Sequence, residues 1–455
     1  MDDTSGTLDE ALERLHSTGP ERAGWLSNHA PMAVEALVKH GQAATVHGWL
    51  DYYRSKLEDR PQPVSTITEA TWHQALGDPR HLTDWADFFG RQMDERPWRE
   101  VLVEWWPRLL PGLLASATHP LIRVGHAVRT LLDDERAAAR ARRPAAHPGA
   151  RSPAPAALVT ATPPTAGGPR LAELAEALGY WAARYQPLPV PVVPAGTADP
   201  EHALAALPRL TDPQGGILDR IARLPRLPRW PEATAALYAP EAPDLAYAQL
   251  SRLVRSSAQR YATHGHGDPI MLVHAATAPN AVLRTLPALP QELWAPSLRA
   301  VWPAVAAIMS IYQPAAPAPA GRETTERAAS MTPEEVFAHA AAHGDEHVIK
   351  FADTVLDVVS GVVTDGVVTD GLVTDGVVTD DVTENTTGAI ARTAHGAVAG
   401  AAAGTGTGTR ADTGGGTRMA RGADSRRGAG AHPEPSDDQA LVAALRAQSL
   451  IESPL

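Results

Sequence analysis

Cysteine is absent from this 455-residue chain. That excludes disulfides, thiolate metal sites and cysteine nucleophiles. No secretory signal is expected either: the start, Met1-Asp2-Asp3-Thr4, is acidic where a signal needs positive charge and then an apolar run. No stretch of about 18 uninterrupted apolar residues is present, so no membrane partner is expected and the expected location is the cytoplasm. The net charge of −12 comes without a basic stripe, which argues against nucleic-acid binding. HExxH, P-loop and GxSxG motifs are lacking, as is a convincing GxGxxG after a strand. The Gly/Thr alternation at 404–408 is no nucleotide site. No built-in flavin or nicotinamide domain is therefore expected. Strand signals are sparse, and alternating β-branched runs occur mainly in one short repeat.

What remains is a helical pattern with 44% hydrophobic residues, enough for a large core. Apolar residues at helical spacing predict helices over 7–17, 31–39, 43–58, 68–76, 82–94 and 119–140. Further helices are predicted over 170–186, 200–208, 243–263, 280–287, 290–311, 333–343, 345–358 and 437–449. The prolines at 187–200 predict extended chain. The expected fold is mainly α: one multi-helix globular body over 1–358, wrapped by Pro-rich loops. A Pro/Ala-rich flexible loop occupies 141–168 within it. A five-residue Gly-Val-Val-Thr-Asp repeat begins at Gly361, and residues 384–435 are dominated by Gly, Ala, Thr and Arg. Residues 359–435 read as a low-complexity insertion. Residues 436–455 form a C-terminal helix expected to pack back on the main body.

Four histidines stand in separated motifs at or near the start of apolar, helix-forming runs: His29 in NHAPM, His119 in THPLIR, His274 in HAATAPN and His347 in GDEHVIK. Neutral imidazole is the commonest protein ligand for a transition metal, and distant helices can aim such side chains into one interior. Pro31 and Pro120 mark helix entrances beside His29 and His119. The apolar Ile270-Met271-Leu272-Val273 before His274 suggests burial. His347 and Lys350 are three apart and share a helix face, with His343 one turn earlier on the same stripe. A buried Lys350 beside a metal is unfavourable as an ammonium. It acts as a neutral amine, or is carboxylated to an anionic oxygen ligand. Histidines with one oxygen anion suit iron(II). His126, seven residues after His119, is a substitute ligand. His264 and His266 are expected to be exposed. Any single histidine among the 18 reads first as an exposed or hydrogen-bonded residue.

Five segments together resemble the questin oxidase-like family: NHAPMAVEAL (28–37), THPLIRVG (118–125), LGYWAARY (178–185), HAATAPN (274–280) and GDEHVIKF (344–351). They occur in family order and span about 7–358. The resemblance implies an oxidoreductase that tailors aromatic polyketides in secondary metabolism, by Baeyer–Villiger-type or dioxygenase-type ring opening with O2. It implies a non-haem iron, Fe(II), held by His29, His119, His274 and His347, with Lys350 as the modified lysine. His343 or a carboxylate is the alternative to Lys350. The chain departs from the family pattern at His126, where an aromatic residue is expected, and in the insertion at about 360–435.

The leading expectation is an oxygenase acting on a hydrophobic polycyclic phenol or quinone. Arg123 is a candidate for holding an anionic phenolate, with a surface or helix-capping charge as its plainer role. NADPH is an expected reductant, used directly or through a partner reductase. Two rivals stay open: a zinc-dependent hydrolase, and a non-catalytic helical scaffold whose histidines satisfy core polar groups.

Overall fold

Helix-entry signals set where the long helices begin. Asp268 caps one by accepting from the Met271 N–H at 3.0 Å, with Pro269 in the first turn. Asp345 caps another by accepting from His347 N (2.8 Å) and Val348 N (3.1 Å). Thr332 and Glu335 form a reciprocal capping box on a third. Each cap satisfies backbone donors that a helix start leaves open.

The computed structural model describes residues 5–142, 168–190, 192–361 and 437–454. The fold is mainly α. In chain order the helices are α1 (Ser5–His16), α2 (Ala30–Lys39), α3 (Val46–Arg54), α4 (Trp72–Ala75), α5 (Leu82–Glu95) and α6 (Trp98–Leu109). There follow α7 (His119–Arg142), α8 (Pro169–Ala183), α9 (Pro200–Ala206), α10 (Ile217–Ile221), α11 (Trp230–Ala235) and α12 (Pro243–His264). The last are α13 (Pro269–Thr285), α14 (Trp294–Tyr312), α15 (Arg322–Ser330), α16 (Pro333–His343), α17 (Glu346–Val359) and α18 (Asp437–Leu450). Short 3₁₀ turns join several of them. Among the described residues the sheet content is one tiny antiparallel hairpin, β1 (Glu21–Arg22) and β2 (Leu26–Ser27). No helix of the described residues is long and apolar enough to cross a membrane.

The described residues all fall in one compact unit, which includes both the chain up to α17 and the C-terminal α18. Helix α18 packs on α12 and α17. Most of the predicted loop at 141–168, and nearly all of the repeat and Gly/Ala/Thr-rich stretch at 359–435, lie outside the described residues.

Two buried apolar clusters make the core. The larger includes Trp85, Phe88, Phe89 and Trp105, whose ring centroids are 5.1–5.7 Å apart in mostly edge-to-face pairs. That arrangement suits aromatic quadrupoles. The smaller includes Leu12, Leu37, Leu50, Phe337 and Ile349. Helices α2 and α17 give side chains to both clusters, and each carries one of the histidines considered below. Helices α7 and α13 approach closely because Gly125 has no side chain: a Cβ there would lie 2.6 Å from Ala281 Cα.

Some boundaries differ from the expectation. Helix α13 starts at Pro269, not at 280, and runs through Pro279. An internal proline loses one ladder hydrogen bond and strains the preceding turn. Burial of nearly the whole helix outweighs that cost. Helices α10, α11 and α15 fall in proline-punctuated stretches where periodicity gave no signal.

Candidate metal centre

Four helices deliver the four motif histidines to one place. His29 is the N-cap of α2 and His119 opens α7, the helix entrances that Pro31 and Pro120 imply. His274 lies in the second turn of α13, and His347 in the first turn of α17. One ring nitrogen from each lies within 4.8 Å of those of the others. His29 Nε2 is 2.7 Å from His119 Nε2, and His274 Nε2 is 2.9 Å from the same atom. The rings of His29 and His347 meet edge to face, centroids 4.5 Å apart. All four residues are buried.

The other ring nitrogens fix the tautomers. His29 Nδ1 is 2.7 Å from the carbonyl of Ser27, His119 Nδ1 is 2.5 Å from that of Ser116, and His274 Nδ1 is 3.2 Å from that of Met271. A carbonyl can only accept, so each Nδ1 carries the proton. Each Nε2 is then left with a bare lone pair aimed at the others. Metal-bound histidines usually donate their other ring N–H to a carbonyl or carboxylate in this way. Burial, then the neighbouring positive groups, holds His29, His119 and His274 well below the ordinary imidazole range, so all three stay neutral. His347 Nδ1 lies 3.4 Å from Asp345 Oδ1.

Lys350, one turn beyond His347, is fully buried, and among the described residues its Nζ has no hydrogen-bond partner. Burial pushes its amine down to about 7, against the pull of the Glu346 and Asp345 carboxylates. Its charge is among the causes that depress His29, His119 and His274. Three histidines with converging lone pairs, a fourth beside them and an orphaned buried amine fit a divalent transition metal. A buried dication among neutral imidazoles also needs an anion nearby.

The turn before His119 is strained. Ser116, Ala117 and Thr118 have φ of 41°, 56° and 73°, three successive non-glycine residues in the left-handed region. Each such residue costs about 1–2 kcal/mol. The turn places the Ser116 carbonyl at His119 Nδ1. Strain of this kind gathers at functional sites.

About two to three turns further along the same four helices runs a second buried layer. Arg129 on α7 donates to Glu35 of α2 (Nε, 3.0 Å) and to Asp353 of α17 (Nη1, 2.8 Å). Arg284 on α13 donates to Asp353 (Nη2, 2.7 Å) and to Asp357 (Nε, 2.7 Å). His126 sits here, its Nδ1 2.7 Å from Glu35 Oε2. Although burial opposes it, Arg129 and His126 hold Glu35 down to about 2. Arg129 and Arg284 each bridge two of the three carboxylates, so the group clamps the helices together.

Other expected residues fall elsewhere. His126 is committed to Glu35, so it is not placed to replace His119. His343 does not share a stripe with His347: Gly344, at φ 82°, ends α16, and His343 Nε2 bonds to the Ile451 carbonyl at 3.0 Å. Arg123 donates from Nε (2.5 Å) and Nη2 (2.8 Å) to the two carboxylate oxygens of Glu173. A phenolate held there would have to displace that carboxylate. His264 is half-buried, its Nδ1 2.7 Å from Thr263 Oγ1, while His266 is exposed.

Sequence reasoning did not find Ser27, Ser116 or the Arg129 clamp. The serines act here through backbone carbonyls, which any residue type supplies. The clamp had a faint signal: Glu35, Arg129 and Asp353 are charges inside otherwise apolar helix faces.

Comparison with curated proteins and with solved structures gave no match. Residues 26–141, which carry His29 and His119, match the family model described as questin oxidase-like, the family that the five motifs resemble.

Proposed function

We propose that this protein is a metal-dependent oxidoreductase that uses O2 to oxygenate or open a ring of a hydrophobic aromatic polyketide, of the quinol or anthraquinone kind. The observation that carries the metal is the convergence of the bare Nε2 atoms of His29, His119 and His274 within hydrogen-bonding distance. The family match over 26–141 carries the reaction class.

His29, His119, His274 and His347 would hold the metal, iron(II) by this reading, with Lys350 as the source of an anionic oxygen. The neutral amine of Lys350 would add to the carbon of CO2: an N–C bond forms, one C=O π pair moves onto oxygen, and the N–H proton passes to water. The resulting carbamate would offset part of the buried positive charge. A bound iron would supply redox capacity toward O2 and stabilise negative charge on a substrate oxygen. The chain's own part is to keep the imidazoles neutral, fix their tautomers through Ser27, Ser116 and Met271, and exclude water by burial. NADPH enters as an external reductant that keeps a quinone substrate in its quinol state.

Oxygen uptake with a panel of hydroxyanthraquinols tests this. Uptake that depends on added iron, with product mass raised by one or two oxygen atoms, is expected. Stoichiometric zinc, no oxygen uptake and turnover of an ester or amide would replace it with a hydrolase.

A further inference from the structure

Tyr180, in the last turn of α8, is buried, yet four polar side chains converge on or behind its hydroxyl. Its Oη lies 2.8 Å from Ser27 Oγ, 3.0 Å from Ser116 Oγ and 3.1 Å from Glu21 Oε1. Glu21 is gripped in turn by Arg184, whose Nε donates at 2.7 Å. Ser27 and Ser116 are the residues whose carbonyls receive the Nδ1–H groups of His29 and His119. Ser27 belongs to the small hairpin and Ser116 to the strained left-handed turn. Neither segment is a regular helix that would hold its own carbonyl direction.

We propose that Tyr180 is a positioning residue for the metal centre: its hydroxyl ties Ser27 to Ser116 and so fixes the rings of His29 and His119 relative to each other. This rests on the metal-centre reading above. A ring packed for its apolar area alone needs no hydroxyl, and Phe would fill the same space. The hydroxyl has one proton, shared between Glu21 and Ser116, and it accepts from Ser27. It stays a neutral phenol, because burial and the Glu21 charge both raise its pKa. The role also accounts for two polar members of the LGYWAARY segment, Tyr180 and Arg184, which the histidine assignment leaves unexplained.

The test measures Co(II) affinity by competition with a chelator, together with the visible absorption of the Co(II)-loaded protein. Tyr180→Phe is expected to fold, to bind Co(II) about 10–100-fold more weakly, as when a group that orients a ligand is lost, and to shift the Co(II) bands. Leu178→Ala, a packing lesion in the same helix, is expected to lower Tm while leaving the bands in place. Ser27→Ala combined with Tyr180→Phe is expected to lose less than the product of the two single effects. Should Tyr180→Phe not fold, the Ser27→Ala/Ser116→Ala pair takes its place with the same expected loss. Co(II) affinity within twofold of the unsubstituted protein, with unshifted bands, overturns the proposal and leaves the metal centre standing. An unsubstituted protein that binds no Co(II) overturns both.

Discussion

The Nε2 atoms of His29 and His119 stand 2.7 Å apart, and neither carries the proton that a hydrogen bond between them needs. Both rings spend their single proton on a backbone carbonyl. Two lone pairs at that distance repel unless a cation lies among them. Two imidazoles on adjacent positions of one metal, at about 2.1 Å each, would stand about 3 Å apart. Iron(II) or Co(II) is therefore expected to stabilise the fold by about 2.7 kcal/mol at a hundred times its Kd. Thermal melts with and without metal check this, and an unchanged Tm would contradict it.

The pH dependence of the metal-free protein follows from the signs of the shifts. His29, His119 and His274 sit well below 6.5 when folded and return to about 6.5 when unfolded. The unfolded chain then binds more protons, so stability falls as pH drops below about 6.5. Glu35 and Glu173 are held near 2 by Arg129 and Arg123, despite burial, against an ordinary value of 4.5. Their contribution is present above 4.5 and is lost as pH falls toward 2. Below pH 7, urea midpoints should decline in two stages, one below about 6.5 and a second below 4.5. Glu173→Gln should flatten the second stage. It should also cost about 3–5 kcal/mol at neutral pH, because Arg123 is left buried and unpaired.

Gly125 sets the spacing of the helices that carry His119 and His274. Its missing Cβ leaves room for Ala281, which a methyl would meet at 2.6 Å. Gly125→Ala is expected to cost about 1–3 kcal/mol as overpacking. It should also weaken Co(II) binding, since the two rings move apart. A stability loss with full affinity would show that the helices flex without moving the rings.

Ala117 occupies the left-handed region at φ 56° and ψ 40°. Glycine takes that conformation without strain, though it adds entropy to the unfolded chain. Ala117→Gly is expected to raise stability by about 0.5–1 kcal/mol, where an ordinary Ala→Gly change lowers it. Chemical denaturation decides the sign.

The helical class was legible in the sequence, and the four motif histidines do lie together, because helix-entry prolines and apolar runs are local signals. It placed His343 on the stripe of His347, since helical spacing alone does not show that Gly344 turns left-handed and breaks the helix. It offered His126 as a spare ligand, since the partner that claims it, Glu35, lies 91 residues away. The start of α13 was misplaced because Pro279 resembles a helix entrance, and only burial shows the helix running through it. The Ser27–Tyr180–Ser116 bridge was not legible at all. Its two serine hydroxyls lie 89 residues apart in the chain, and Tyr180 looks like one more core aromatic.

The central claim is that His29, His119, His274 and His347 hold one transition metal. Elemental analysis of protein purified without a metal-chelating tag, beside His274→Ala, tests it most directly. About one iron per chain, lost in a His274→Ala variant with unchanged helical circular dichroism, is the result this account requires. Iron-supplemented, folded protein that holds no metal would contradict it and return the four histidines to a structural role.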